Sequence, residues 1–329
     1  MMHVAIIGGT RHIGPFIVQL LLNAGHQVTV INRGRTRVAL PAGVGNVVAD
    51  RSVQGQVSDA LGQLKPDAVI DMIAFKTEHV DQVITALPDI GHYVFCSTTA
   101  LYGVIGETTP DESTPAAPDS DYTFGKVACE QRLDLAAREQ GFAYTSLRLA
   151  HPYGPGDDIL YTTGRESMFL NRMRRQRAVI IPGSGLTRLH PIYAEDAARA
   201  FVHVLNRDDC MGKVFNLAGP QILTLDEYFE SIARVLDVPL VAVRVPHTFF
   251  KERVDLWADA KRKFDFGFNW VHYQTAFSTT ALEATGFQCP TDHDAGIALT
   301  MQWLDAEDLI DASSDGDGEE KILRSVGTN

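Results

Sequence analysis

The chain has 329 residues, of which 45% are hydrophobic and 21% charged, and a formal net charge of -12. That length can bury a full core, as one large α/β unit or two joined lobes, while the acidic balance argues against a general nucleic-acid or membrane-surface binder, which carries a basic footprint. Cys96, Cys129, Cys210 and Cys289 form no CxxC pair, no apolar run approaches ~18 residues, and the N-terminus enters a strand directly, so the expectation is a cytoplasmic protein with reduced thiols and no membrane span.

Taken in chain order, His3 to Ile7 is short, apolar and β-rich. It runs into Gly8, Gly9 and Gly14 ahead of the helical pattern Ile13, Phe16, Ile17, Leu20, Leu21. Gly25 ends that helix and Val28 to Ile31 reads as a second strand, which closes a βαβ unit. The alternation continues with strands near Asn46–Val48, Ala68–Met72, Tyr93–Cys96 and Tyr144–Leu147, separated by helices around Val57–Leu64, Glu78–Leu87 and Phe124–Gln140. Continuous apolar strands mark a sheet covered on both faces, so the fold class is α/β: a doubly wound parallel (Rossmann) sheet with a smaller C-terminal substrate-binding lobe. Residues 1–150 are expected to form the dinucleotide-binding domain, and residues 151–310, broken by frequent prolines, the substrate lobe with elements such as Val214–Leu217 returning to the sheet. Eight acidic residues and no basic one stand between Asp305 and Glu320, and residues 311–329 are expected to be an acidic, disordered tail.

A glycine-rich turn between strand and helix lets backbone N–H groups meet a pyrophosphate at the positive helix end. GGTRHIG has glycine at both ends of a GxxGxxG spacing but Arg11 in the middle, and the candidate cofactor residues are Gly8, Thr10, Arg11, His12, Ile13 and Gly14. The second strand ends in Asn32, Arg33, Gly34, Arg35, with no acid to take a ribose 2′-OH. Arg33, helped by Arg11 or Arg35, therefore tilts the NAD(P) choice towards NADP, with solvated surface arginines as the alternative. Asp50, after the third strand, faces either the adenine amino group or solvent.

Tyr122 and Lys126, one helical turn apart in YTFGK, can place a phenol and an ammonium on the same helix face. The ammonium would favour phenolate and bring an ordinary phenol pKa of ~10 towards working pH. Several hydroxyls lie at the end of the preceding strand, in Ser97, Thr98, Thr99 and Tyr102.

With these motifs the chain resembles the extended short-chain dehydrogenase/reductase superfamily, in particular its NAD(P)-dependent epimerase/dehydratase family, over roughly residues 3 to 305. GGTRHIG, STTALYG, YTFGK, LRLAHPYGPGD, IYAEDA and KVFNLAG follow the family's order. The resemblance implies Thr98 as the catalytic hydroxyl with Ser97 as its neighbouring candidate, Tyr122 as acid/base, and Lys126 on the nicotinamide ribose. It also implies Tyr102 and His151 on the substrate side, and a homodimer through the two long sheet-side helices; His190 and Tyr193, which flank the turn before the Asp196 helix, are expected to line the substrate pocket. Two departures narrow it. Thr99 and Ala100 replace the Asp-Glu pair of the 4,6-dehydratases, which disfavours that reaction, and His151 stands where many nucleotide-sugar members carry asparagine. GGTRHIG followed by NRG is most similar to an atypical branch that includes chloroplast stem-loop RNA-binding relatives.

Other chemistries find less support. The eleven histidines show no HExxH or HxH spacing, so no metal site is expected, and no GxSxG elbow accompanies the serines. Arg165, Arg172, Arg174, Arg175 and Arg177 read as a solvated basic face or as a phosphate-binding rim. The expected activity is hydride transfer at a carbinol or carbonyl carbon of a sugar or sugar nucleotide. The alternatives are an NADPH-dependent reductase of a non-nucleotide ketone or aldehyde, and a non-catalytic dinucleotide-binding or RNA-interacting protein. The expected partner is a small-molecule substrate, with nucleic acid disfavoured.

Overall fold

The computed structural model describes residues 1–35, 39–156, 159–160, 165–166, 169–257, 273–310 and 317–327. Its centre is a seven-stranded sheet built from β1 (His3–Ile7), β2 (Gln27–Asn32), β3 (Gly45–Val48), β4 (Ala68–Asp71), β5 (His92–Thr98), β6 (Ala143–Leu149) and the strand Lys213–Leu217. Every neighbouring pair is parallel, in the order Lys213–Leu217, β6, β5, β4, β1, β2, β3. The expected doubly wound α/β sheet is therefore present, and Lys213–Leu217 is the element returning from the second half.

Both faces of the sheet are covered, which is why its strands read as unbroken apolar runs. On one face, Ile13, Ile17 and Leu21 of α1 (Ile13–Asn23) pack with Ala197 and Phe201 of the helix Ala194–His203 over Val4, Ile6 and Val94. On the other, α2 (Gln56–Leu64), α3 (Thr77–Ala86) and α4 (Asp121–Gln140) contribute Leu61, Val83 and Leu133 over Ala5, Ile7 and Phe95. Each wholly buried valine, leucine, isoleucine or phenylalanine among them stabilises the fold by about 1.5–3 kcal/mol relative to exposure. The chain leaves β1 towards β2 and β3, then crosses to the opposite side at β4. The crevice between the ends of β1 and β4 is thus the switch point at which such sheets bind ligands.

A second cluster joins Tyr153, Phe169, Tyr193, Tyr228, Phe229 and Ile297 in the later half of the chain. The expectation of a disordered tail needs correcting at Asp317–Ser325, which forms a helix. Ile322 and Leu323 are buried there against Ile180, Val245 and Phe250, and Glu320 receives Arg172 and Arg177. Glu320 is thus charge-matched, and Glu319 accepts from Ile180 N at 2.6 Å, so these two acids are held by the body of the same chain. Residues 311–316 and 328–329 of the expected tail lie outside the described residues. Among the described residues no helix is long and apolar enough to cross a membrane.

Candidate active site

The glycine turn forms one wall of the switch-point crevice. Gly8 has φ +94°, and a Cβ there would meet Ile73 Cγ2 at 2.8 Å. Gly14 is more restricted: a Cβ would stand 2.5 to 2.7 Å from the Gly9 backbone. Arg11 occupies the middle position without closing the turn, because the turn bond runs from Gly14 N to the Arg11 carbonyl at 2.9 Å and leaves the Arg11 side chain exposed. His12 precedes α1 at φ 49° and does not cap it with its side chain. Burial lowers the His12 imidazole to about 4, so it is neutral at pH 7. A helix start with no side-chain cap and a backbone-only approach is the cradle a pyrophosphate fits.

Where β2 ends, Asn32 accepts from Gly34 N at 2.8 Å and donates to Asn46 at 2.7 Å. Arg33 is exposed. Asp50 accepts from both the backbone and the hydroxyl of Ser52, which hold its carboxyl below the ordinary range, with Arg33 and Arg35 adding to the effect. Arg35 stands 3.8 Å from it. The β2 end thus carries one carboxylate, Asp50, under the influence of two arginines.

Helix α4 is started by a reciprocal cap: Ser120 accepts from Thr123 N at 3.3 Å, and Thr123 Oγ1 accepts from Ser120 N at 3.0 Å. That fixes Tyr122 and Lys126 in the first turns, facing the end of β5. Gly125 between them is required, since a Cβ there would lie 2.2 Å from the Phe75 carbonyl oxygen. Lys126 is 1% exposed and donates to the Cys96 carbonyl at 2.6 Å. Its ammonium lies 4.5 Å from the Phe75 ring centroid, 4.9 Å from Phe95 and 5.8 Å from Tyr122. Burial lowers the Lys126 pKa.

Tyr122 is 45% exposed overall, but its hydroxyl end is enclosed. Its pKa is pushed up to about 12, chiefly by burial and next by Cys96, while a hydrogen bond with Thr98 opposes the rise. This differs from the expected lowering by Lys126. Desolvation prevails, and the ammonium is bonded to the Cys96 carbonyl instead. The chain alone therefore presents a neutral phenol next to the Thr98 hydroxyl, which also accepts from Ala100 N at 3.2 Å.

The remaining candidates divide. Tyr102, expected on the substrate side, is 3% exposed. Its hydroxyl accepts from Arg148 at 2.8 Å and donates between Asn216 at 2.8 Å and the Asp111 carbonyl at 2.9 Å. That network ties the Pro110–Ser113 loop to the sheet and uses the Tyr102 proton within the chain. His190 is likewise committed: Nε2 donates to the Gly219 carbonyl at 2.9 Å, so Nδ1 must be the acceptor for Phe277 N at 3.3 Å. His151 is buried, its pKa lowered to about 4 by burial and then by His190. It lies on the short strand His151–Tyr153, paired in parallel with Pro191–Tyr193 so that Tyr193 stands beside Tyr153. Tyr193 is 4% exposed and also packs on Phe16 of α1. Ser97 is buried beside Thr98.

Sequence reasoning missed the opposite wall of the crevice, the loop from Met72 to Lys76, whose Ile73 and Phe75 touch Gly8, Lys126 and Tyr122. It also missed Gly156, where a Cβ would stand 2.9 Å from His12 N, bringing the HPYGPG segment onto the glycine turn. Gly125 inside YTFGK was the available signal for a close backbone approach at that point. Of the basic cluster, Arg174 pairs with Asp305 and Arg172 and Arg177 with Glu320. Those three are therefore held by the chain's own acids and do not form a phosphate rim.

Residues 4–86 and 76–218 match the NAD dependent epimerase/dehydratase family. The chain belongs to that family. Among its relatives is the chloroplast stem-loop binding protein of 41 kDa b of Arabidopsis thaliana, 28% identical over 72% of this chain and 64% of that protein. The aligned part thus spans less than two thirds of that relative. The 2'-dehydrokanamycin reductase of Streptomyces kanamyceticus is 26% identical over 77% of this chain and 72% of its own length. The UDP-glucose 4-epimerase of Thermus thermophilus, solved in complex with NAD, superposes with a TM-score of 0.73. It covers 92% of this chain and 99% of its own at 21% identity, which is a likeness of fold.

Proposed function

We propose that this family member is a nicotinamide-dinucleotide-dependent oxidoreductase or epimerase acting at a carbinol or carbonyl carbon of a sugar or sugar nucleotide. The observation that carries this reading is the Thr98–Tyr122–Lys126 group at the end of β5, across the crevice from a glycine turn that has no room for side chains at Gly8 and Gly14. Gly8, Gly14 and the α1 start would hold the pyrophosphate, and Lys126 the nicotinamide ribose. A bound nicotinamide supplies or accepts the hydride. Thr98 orients the substrate oxygen, and Tyr122 gives its proton to that oxygen in reduction or removes it in oxidation. With its pKa at about 12 the phenol starts as the acid, and the oxidising direction needs positive charge nearby to favour phenolate.

The substrate class is supported by the family and by the names of its nucleotide-sugar members. A second reading, an NADPH-dependent reductase of a non-nucleotide ketone, is favoured by exposed Arg33 and Arg35 at the β2 end with no acid on Asn32. The Streptomyces relative carries a reductase name of that kind. Exposed Phe124 and Leu135 on α4 support a homodimer through α3 and α4.

Purified protein incubated with a panel of sugar nucleotides and amino-sugar ketones discriminates the readings. Epimer formation with catalytic or copurified NAD supports the first, and stoichiometric NADPH oxidation supports the second. In the second case Arg33→Ala should narrow the preference for NADPH over NADH about tenfold. Loss of neither cofactor nor substrate across the panel would count against both.

A further inference from the structure

Asp71 ends β4 and is wholly buried, yet four donors converge on it. Arg51 reaches both oxygens in a fork, Nη1 to Oδ1 and Nη2 to Oδ2 at 2.9 Å each. Tyr93 donates its hydroxyl at 3.0 Å, and Ile73 its backbone N–H at 3.0 Å. Arg51 is itself tied to α3, donating to the His79 carbonyl at 3.1 Å. A carboxylate so enclosed stands only if its charge is matched and its lone pairs are filled, and here both conditions are met. What the carboxylate fixes is the first turn of the Met72–Lys76 loop.

That loop touches both halves of the proposed cofactor site. Ile73 lies where a Gly8 side chain would be, at 2.8 Å, so it backs the phosphate turn. Two residues on, the Phe75 carbonyl fills the notch at Gly125, and the Phe75 ring covers the Lys126 ammonium at 4.5 Å and leans on Tyr122 at 6.0 Å. We infer that the Arg51–Asp71 pair and Phe75 form a positioning brace that sets the glycine turn and the Tyr122–Lys126 pair at one spacing, so that a dinucleotide can bridge them. Arg51, Asp71 and Phe75 are positioning residues: they act through Gly8 and Lys126. The inference rests on the proposed function, because it assigns the brace to the nicotinamide dinucleotide of that site.

The test is titration of the full chain with NADH and with NADPH separately, followed by fluorescence or calorimetry, alongside thermal unfolding. Arg51→Lys keeps the charge but loses the fork, and it should weaken the better-bound dinucleotide roughly tenfold. Phe75 is 41% exposed, so Phe75→Leu should fold normally. It should weaken binding roughly fivefold, the order one cation–π contact supports, while Phe75→Tyr restores it. Binding within twofold of wild type in both Arg51→Lys and Phe75→Leu overturns the inference, even where the unfolding midpoint falls, because a merely structural pair would behave in that way. Phe75→Tyr binding as weakly as Phe75→Leu also overturns it. Should Arg51→Lys fail to fold, the two Phe75 variants decide alone. A wild-type chain that binds neither dinucleotide removes the proposed function and the brace with it, an outcome distinct from wild-type binding that the variants leave unchanged.

Discussion

Lys126 donates to the Cys96 carbonyl at 2.6 Å, so the ammonium one turn beyond Tyr122 is fixed to strand β5 and not to the phenol. Burial therefore decides the phenol's state, and Tyr122 is held neutral with a pKa of about 12. The arrangement suits a proton donor to a carbonyl oxygen.

Tyr122→Phe removes that proton and leaves the ring that packs on Phe75. A general acid contributes ~10²–10⁴-fold, so turnover of whichever substrate the panel identifies should fall by that order, with dinucleotide affinity little changed. Turnover at the wild-type rate would assign the proton transfer to another group.

At the glycine turn the expected outcome is graded by geometry. Gly14→Ala puts a Cβ within 2.5 to 2.7 Å of the Gly9 backbone, which cannot rotate away. Gly8→Ala meets only the Ile73 side chain at 2.8 Å, although φ +94° adds strain. Both should lower dinucleotide affinity in a calorimetric titration, and Gly14→Ala should also lower the unfolding midpoint more than Gly62→Ala, whose Cβ meets nothing within 4 Å. Equal midpoints for Gly14→Ala and Gly62→Ala would show that the turn relaxes freely.

The sheet was legible because parallel strands covered on both faces read as apolar runs, and β1, β2, β4, β5 and β6 each fall on one. The turn at Gly8 and the Tyr122–Lys126 pair were legible for a related reason: local spacing alone brings their groups together. Contacts between distant segments were not. Nothing in GGTRHIG announces that Ile73 will back Gly8, and nothing in VVADRS tells that Arg51 will turn inward to Asp71 while Asp50 stays at the surface. Tyr102 and His190, expected on the substrate side, hold protein partners that only the fold supplies, as their burial requires. Asp317–Ser325 departs from the expected acidic tail because composition counts its charges without Arg172 and Arg177, which meet Glu320.

Four buried histidines, His92, His151, His190 and His293, and the half-buried His12 have pKa values lowered to about 4 by burial. Each titrates near 6.5 when unfolded, so between about pH 6.5 and 4 the unfolded chain binds protons that the folded chain refuses. The sign follows: stability is retained above pH 6.5 and is lost as pH falls through that window. Unfolding midpoints measured from pH 8 to 4 should be level at first and then decline. His92→Gln should shallow the decline, since His92 accepts from Asn206 N at 2.9 Å and meets Thr145 at 3.0 Å, roles an uncharged amide can take. A midpoint that stays level down to pH 4.5 would contradict the burial of these rings.

The helix Asp317–Ser325 supplies the last test, because a packed helix and a solvated tail respond oppositely to the same substitutions. Ile322 is wholly buried among Ile180, Val245 and Phe250, so Ile322→Ala leaves a cavity and should cost about 2–5 kcal/mol in urea unfolding. Glu320 is partly exposed at 30% and joins Arg172 at 3.2 Å and Arg177 at 2.9 Å. Glu320→Gln keeps an acceptor oxygen and should cost less, about 1 kcal/mol. Lys321→Ala, on the exposed face, should be neutral. That ranking, Ile322 above Glu320 above Lys321, follows from burial alone. Three variants indistinguishable from wild type would instead mean that the segment leaves the body of the protein in solution, exposing Ile180 and freeing Arg172 and Arg177 from Glu320.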